Sequence, residues 1–381
     1  MEFRKYLRDI ASSGIPTLLV KLRGLLILPF LLHTVGLAGY GAWLQVVSST
    51  NLLALLASLG LHSAVIRFHP EEAGREGRSR LLYSALALSL AVAVVLAAGY
   101  GATAAPLSRL LLKDGEYAPL FALGALLIPL SVARLLLVSH FRAQDRIRWV
   151  AGAESAYGAA EVALLLGAAV LSRATFPVLA ASVAALGAYV LFLFATAVRE
   201  GYTPAAGLAP VTPYLRYSVP LIPTLAADEV LSRGDRLIVG MFLGADSVGL
   251  YSAIYALASV PMLFSTPVTH ALLPKVVGCW SRGDQAGAAR YVGVTVQGMV
   301  VATAGTGALL LFLGDPLLRL LGAARSGFLP TGLLVLAGVG AYALARVYSV
   351  LFVARKRTGT FSAAWTACGV VNVALNLALV P

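Results

Sequence analysis

The chain has 381 residues, of which 59% are hydrophobic and only 12% charged, with a formal net charge of +12. Ordinary soluble domains carry about 25% charged residues, so a soluble globular fold is excluded. The apolar runs are too long and too uniform for barrel strands, which alternate at every second residue. Helices side by side in lipid then satisfy every backbone N–H and C=O.

The opening segment is charged through Arg4, Lys5 and Arg8 and runs directly into an apolar stretch. It has no small-residue cleavage site, so the first helix reads as a retained anchor. Hydropathy predicts helices over 10–32, 39–61, 81–103, 120–140, 149–171 and 176–198. The loop 104–118, with Arg109, Lys113, Asp114 and Glu116, is amphipathic and expected on the outer membrane surface. A break follows at 199–216, where Pro204, Pro210 and Pro213 replace the Leu/Ala background and predict a linker. Further helices are predicted over 217–243, 248–272, 291–313, 329–353 and from 361 to the end, giving about eleven crossings. The expected organisation is an N-lobe of six helices (1–198), a cytoplasmic linker (199–216) and a C-lobe of five (217–381).

Orientation follows from the basic residues in alternate loops. The N-terminus and the loops at 67–80, 142–148, 199–216, 275–290 and 355–357 hold eighteen of the 29 Lys and Arg, and the opposite side holds Arg109, Lys113, Arg173, Arg319 and Arg325. The positive-inside rule makes the N-terminus cytoplasmic in a multi-pass protein of the cell inner membrane. The net charge is thus topological. Nucleic acid is excluded as a partner, because the short loops hold no nucleic-acid module and no GxxxxGK[ST] phosphate loop. Cys279, expected in a loop, and Cys368 have no ligand spacing, nor do the five histidines, so neither a metal nor a cofactor is expected.

The six remaining cations lie inside predicted helices: Lys21, Arg23, Arg134, Arg233, Arg236 and Arg346. Five acids join them: Glu154, Glu161, Asp228, Glu229 and Asp235. Ionisable groups at membrane depth are expensive and face a bundle interior or a wet cavity. On the seventh helix Glu229, Arg233 and Arg236 share one line, and Asp228, Ser232 and Asp235 lie on the adjacent one. Glu229 and Arg233, four apart, are equally suited to a structural ion pair. Glu154 and Glu161, seven apart on one face of the fifth helix, suit either interhelical hydrogen bonding or relay of a coupling proton or cation.

The chain repeats itself. Ile15-Pro16-Thr17 recurs as Ile222-Pro223-Thr224, Gly36 and Gly41 as Gly244 and Gly249, His62 and Arg67 as His270 and Lys275, and Ala133-Arg134 as Ala345-Arg346. Two homologous halves are implied. Six helices per half would give both the same orientation, around an axis along the membrane normal. The second half reads as one helix short, to be explained by truncation or by a partner. Arg134 and Arg346 occupy matching positions, so either both line a cavity or both snorkel.

The run from Ser232-Arg-Gly-Asp235-Arg236 through Gly240, Gly244 and Gly249 to Tyr251 resembles the seventh-helix signature of polysaccharide-type flippases in the multidrug/oligosaccharidyl-lipid/polysaccharide (MOP) exporter superfamily. Gly14-Ile15-Pro16 through Gly39-Tyr40-Gly41, and Arg357-Thr358-Gly359 through Asn372 and Asn376, are similar to its first and eleventh helices. The resemblance implies an all-α, two-lobe MOP/MATE-like bundle, not an enzyme, that flips a polyprenyl-diphosphate-linked saccharide through a central cavity. Lys21, Arg23, Arg233 and Arg236 are the residues suited to the diphosphate, because a planar guanidinium matches phosphate and stays protonated when desolvated. Arg134 and Arg346 are further cavity candidates. Tyr40, Trp43, Tyr251 and Tyr255 suit either sugar stacking or helix packing. A cation-coupled multidrug exporter would need Asp228, Glu229, Asp235, Glu154 or Glu161 to bind the ion. A non-transporting subunit of envelope polysaccharide assembly would explain the pathway without a path. A polysaccharide polymerase and glycosyltransferases are the expected protein partners.

Overall fold

The computed structural model describes residues 2–204, 210–323 and 328–380, with side chains from Ile27 onward in those ranges except at positions 266, 270 and 328. In chain order the helices are α1 (Glu2–Ala57), α2 (Leu61–Phe68), α3 (Gly74–Ala102), α4 (Ala104–Leu112), α5 (Ala118–Gly124), α6 (Leu127–Ala143), α7 (Ile147–Ser172) and α8 (Thr175–Arg199). The second half adds α9 (Thr212–Ser218), α10 (Ile222–Ala258), α11 (Val260–Ser281), α12 (Gln285–Leu320), α13 (Phe328–Ala354) and α14 (Thr358–Leu379). Nine segments among the described residues are long and apolar enough to cross a membrane.

Backbone breaks reconcile those nine with the expected eleven. Gly36 interrupts α1 at φ 74°, ψ 178°, and Gly244 interrupts α10 at φ 81°, ψ −178°. That conformation is open to glycine alone without strain. The two glycines are paired by the sequence repeat, and they do the same work in both halves, ending one crossing and starting the next. Dividing α1 and α10 there, and letting α11 continue the eighth crossing, recovers eleven. The chain is a multi-pass all-α membrane protein, and large apolar side chains such as Leu171, Phe312 and Val301 stand exposed on its helices as lipid requires.

The fourth predicted helix divides into α5 and α6. Pro129 has no N–H to offer Ala125 and its ring crowds that carbonyl, so the ladder breaks one turn earlier; Ile128 N–H instead bonds to Ala125 O at 3.2 Å. The expected linker is partly helical: α9 starts with Pro213 in its first turn, and a 3₁₀ turn at Val219–Leu221 leads into α10. Proline suits first turns because their N–H groups are unpaired anyway. The loop at 104–118 is mostly α4, closed by Lys113 in the left-handed region. Cys279 lies buried inside α11 rather than in a loop.

By their contacts the residues form two units. The first comprises 1–36 with 250–364, and the second 37–249 with 365–381. In the first, Leu272, Val276, Met299, Ala343 and Val347 form a core shared by α11, α12 and α13, and His33 Nε2 lies 3.0 Å from Leu320 O at the end of α12. In the second, α3, α6 and α8 pack around Leu82, Phe121, Ile128, Leu136 and Phe141. The segment expected as the linker lies inside this second unit. Arg146 holds Glu200 at 2.5 Å, Tyr83 donates to Tyr202 O at 2.9 Å, and Tyr214 donates to Glu72 Oε1 at 2.7 Å. Beside them, burial and the charge of Arg78 push the His69 imidazole down to about 4, so it is neutral in the folded protein.

Candidate functional site

The charged stripe forms as the helical period requires. On α10, Arg233 Nη1 donates to Glu229 Oε1 at 2.6 Å, one turn back. Ser232 Oγ donates to the Asp228 carbonyl at 2.8 Å, and the Arg236 backbone N–H donates to Asp235 Oδ1 at 2.8 Å. All five ionisable side chains are half-buried. Arg233 is neutralised by its own helix, and an anion approaching it must displace Glu229. Arg236 lies near enough to the buried Tyr40 to be felt electrostatically at its hydroxyl. Tyr40 in turn stacks on Trp43, with centroids 6.0 Å apart, and Trp43 Nε1 donates to Ser182 Oγ at 3.2 Å on α8. Arg236 is thus within electrostatic range of Tyr40, the buried member of an aromatic pair with Trp43, in the second unit.

Arg134 and Glu154 make a different arrangement. Arg134 on α6 engages Glu154 on α7 with both arms of its guanidinium, Nη2 to Oε2 and Nε to Oε1, the latter at 3.2 Å. Tyr189 on α8 donates to the same Oε1 at 3.0 Å. Tyr157 lies under the Arg134 guanidinium at 5.5 Å and stacks on Tyr189 at 4.7 Å. Three successive helices meet at one carboxylate. Glu161, one heptad along α7, is buried on the same face. Arg346 sits half-buried on α13 in the first unit, where Ser349 Oγ donates to its carbonyl at 2.7 Å. Tyr251 and Tyr255 also lie in the first unit, with rings 6.2 Å apart. The side chains of Lys21 and Arg23 lie outside the described residues.

Two contributors had no strong signal in the sequence. Tyr189 sits in a strongly apolar stretch of the N-terminal half, where a single tyrosine looks like packing. Gln45, fully buried, joins three elements by donating to Leu111 O and Leu237 O, both at 3.2 Å. A lone amide at membrane depth was the available cue.

Comparison with known proteins decides the family. The model of a family described as "Polysaccharide biosynthesis protein" matches residues 6–278, well over half of the chain. The chain belongs to that family. The succinoglycan biosynthesis transport protein ExoT of Rhizobium meliloti (strain 1021) is 25% identical over 293 residues, covering 68% of this chain. This family member spans only 57% of that relative's length.

Solved structures give the fold. A multidrug resistance MATE family transporter of the MOP superfamily, in an inward-facing conformation, superposes with TM-score 0.63 at 14% identity over 96% of this chain and 83% of its own. The MATE multidrug transporter DinF-BH, in a ligand complex, gives 0.63 at 14%, over 98% and 94%. A MOP superfamily transporter from Pyrococcus furiosus Vc1 (DSM3638), described as having a binding pocket of reverse polarity, gives 0.55 at 12%, over 98% and 94%. The expected MOP/MATE-like all-α membrane fold is therefore the fold of this chain.

Proposed function

We propose that this protein is a transporter that flips polyprenyl-diphosphate-linked oligosaccharide across the inner membrane for cell-surface polysaccharide synthesis. Transport proceeds by alternating access between an N-lobe (1–198) and a C-lobe (217–381), joined by the linker at 199–216, with the N-terminus cytoplasmic. Arg236 carries the proposal: a half-buried guanidinium at membrane depth on α10, in a member of the polysaccharide biosynthesis family. A diphosphate needs such donors along its route. The name of the Rhizobium relative, a transport protein in succinoglycan biosynthesis, supports the same substrate class. Lys21 and Arg23 on the first helix are the further cations of the path, and Arg233 joins them once Glu229 is displaced. Glycosyltransferases and a polymerase supply and consume the lipid-linked saccharide.

One observation weighs against a cation-coupled drug exporter. Glu154 and Glu229, two of the acids available to bind an ion, each hold an arginine. The repeated halves weigh against a non-transporting subunit, which has no need of them.

The test is Arg236→Gln. Losing a charge-assisted contact of roughly 1.5–3 kcal/mol should lower export about tenfold or more. Surface polysaccharide is measured beside the amount of inserted protein, and flipping is followed in liposomes with fluorescent polyprenyl-diphosphate sugar. Arg233→Gln should cost less. Normal export in the double variant would overturn the proposal.

A further inference from the structure

The two backbone breaks have a second consequence. Gly36 and Gly244 are 208 positions apart, and the residues that follow them touch reciprocally. A Cβ built on Gly41 would drive into the carbonyl oxygen of Ala245 and lie 2.8 Å from Gly249 N. A Cβ on Gly249 would drive into the carbonyl oxygen of Leu37 and lie 2.9 Å from its carbon. Adding 208 converts Leu37 into Ala245 and Gly41 into Gly249, so the contact exchanges with itself under the repeat. The starts of the second and eighth crossings therefore meet backbone to backbone, about a local two-fold axis within the second unit.

Gln45, one turn deeper than Gly41, ties the same two helices. Its amide donates to Leu237 O on α10 and to Leu111 O at the end of α4, and a Cβ on Gly240 would drive into that amide. The Gln45 Oε1 atom is buried with no hydrogen-bond partner among the described residues. The joint is therefore close-packed, yet held by few polar contacts and burdened with one unmet acceptor. Such a contact is built to separate at modest cost, unlike the Arg134–Glu154 pair, which keeps both carboxylate oxygens occupied.

We propose that Gly41, Gly249 and Gln45 form a latch that shuts the outer end of the path, on the face opposite the basic loops, and parts when the protein opens outward. The inference rests on the transport function proposed above. Glycine is required because any side chain at either position would hold the two helices apart.

The test uses protein with Cys279→Ser and Cys368→Ser and a single reporter, Ser232→Cys, which lies about 18 Å along α10 before Gly244. A membrane-impermeant maleimide is applied from the outer face. Gly41→Leu and Gly249→Leu should each raise the labelling rate about tenfold, and Gln45→Leu, which removes two hydrogen bonds without adding bulk, about fivefold. Gly99→Leu, on α3 with nothing among the described residues within 4 Å of its added Cβ, should leave the rate unchanged. Unchanged labelling in Gln45→Leu and in whichever glycine variants insert normally overturns the latch.

A second arm follows flipping of fluorescent polyprenyl-diphosphate sugar in liposomes by the parent protein and the same variants. Those that label faster should flip the lipid more slowly, because the outer end no longer shuts, and flipping at the parent rate in them also overturns the latch. If the unlatched and latched proteins differ in labelling as expected but no variant flips the lipid, the parent protein included, the latch stands and the substrate assignment falls.

Discussion

Two ion pairs at membrane depth, Arg134–Glu154 and Arg233–Glu229, look alike in sequence and differ in how they are closed. The first spans two helices, engages both carboxylate oxygens, and takes a third helix through Tyr189. The second lies along one helix, four residues apart, with a single bond of 2.6 Å. Accessibility does not separate them, since the Arg134 and Arg233 side chains are 38% and 43% exposed. What separates them is the cost of opening. Breaking the first strands a charge and unties three helices, whereas breaking the second releases a guanidinium to whatever anion displaced its partner. Charge at depth marks function only where the local structure can let it go.

The comparison breaks most sharply at Glu154. Glu154→Leu removes the shared acceptor and strands Arg134, an effect of about 3–5 kcal/mol for a fully buried pair. Partial exposure of Arg134 reduces this to about 2 kcal/mol. Thermal unfolding in detergent should show the loss, and Arg134→Leu with Glu154→Leu should restore most of it, because a buried pair replaced by apolar groups is close to neutral. If the double variant is as unstable as the single, Glu154 does more than balance Arg134. An intermediate effect belongs to Tyr189→Phe, which deletes one hydrogen bond and keeps the ring stacked on Tyr157, at a cost of about 1 kcal/mol. A similar cost in an Arg134→Leu, Glu154→Leu background would mean that the hydroxyl has another role, since its partner is gone.

Much of this contrast was legible in the residues. Composition and hydropathy gave the membrane class and the run of crossings, and the spacing of Glu229 and Arg233 put them on one face, where an ion pair was one of two open readings. The repeat placed Gly36 opposite Gly244, and both proved to be breaks of the same conformation. Other features depend on distant chain segments and left only faint traces. Nothing local to Glu154 names Arg134, twenty residues away, because the partner is set by how α6 packs beside α7. The repeat pairs Arg134 with Arg346, yet it is silent on whether their surroundings match, and the Arg134 brace is built from Glu154, Tyr157 and Tyr189 of its own half. The division of the fourth crossing at Ala125 follows from Pro129, a cue present in the sequence but overridden by the unbroken apolar run around it.

The smallest expected effect on stability is the most informative about function. Glu229→Gln removes an i,i+4 pair worth about 0.3–0.5 kcal/mol, so unfolding should barely shift. The same change relieves Arg233 of its carboxylate and leaves its guanidinium able to meet a diphosphate. Binding of a fluorescent polyprenyl-diphosphate sugar should therefore tighten, and flipping should hold or slow because release becomes harder. Glu154→Gln should do the reverse, lowering stability while leaving affinity in the surviving folded protein unchanged. Were Glu229→Gln to weaken binding instead, the carboxylate itself would belong to the ligand site, and the stripe on α10 would be reading the sugar rather than its phosphates.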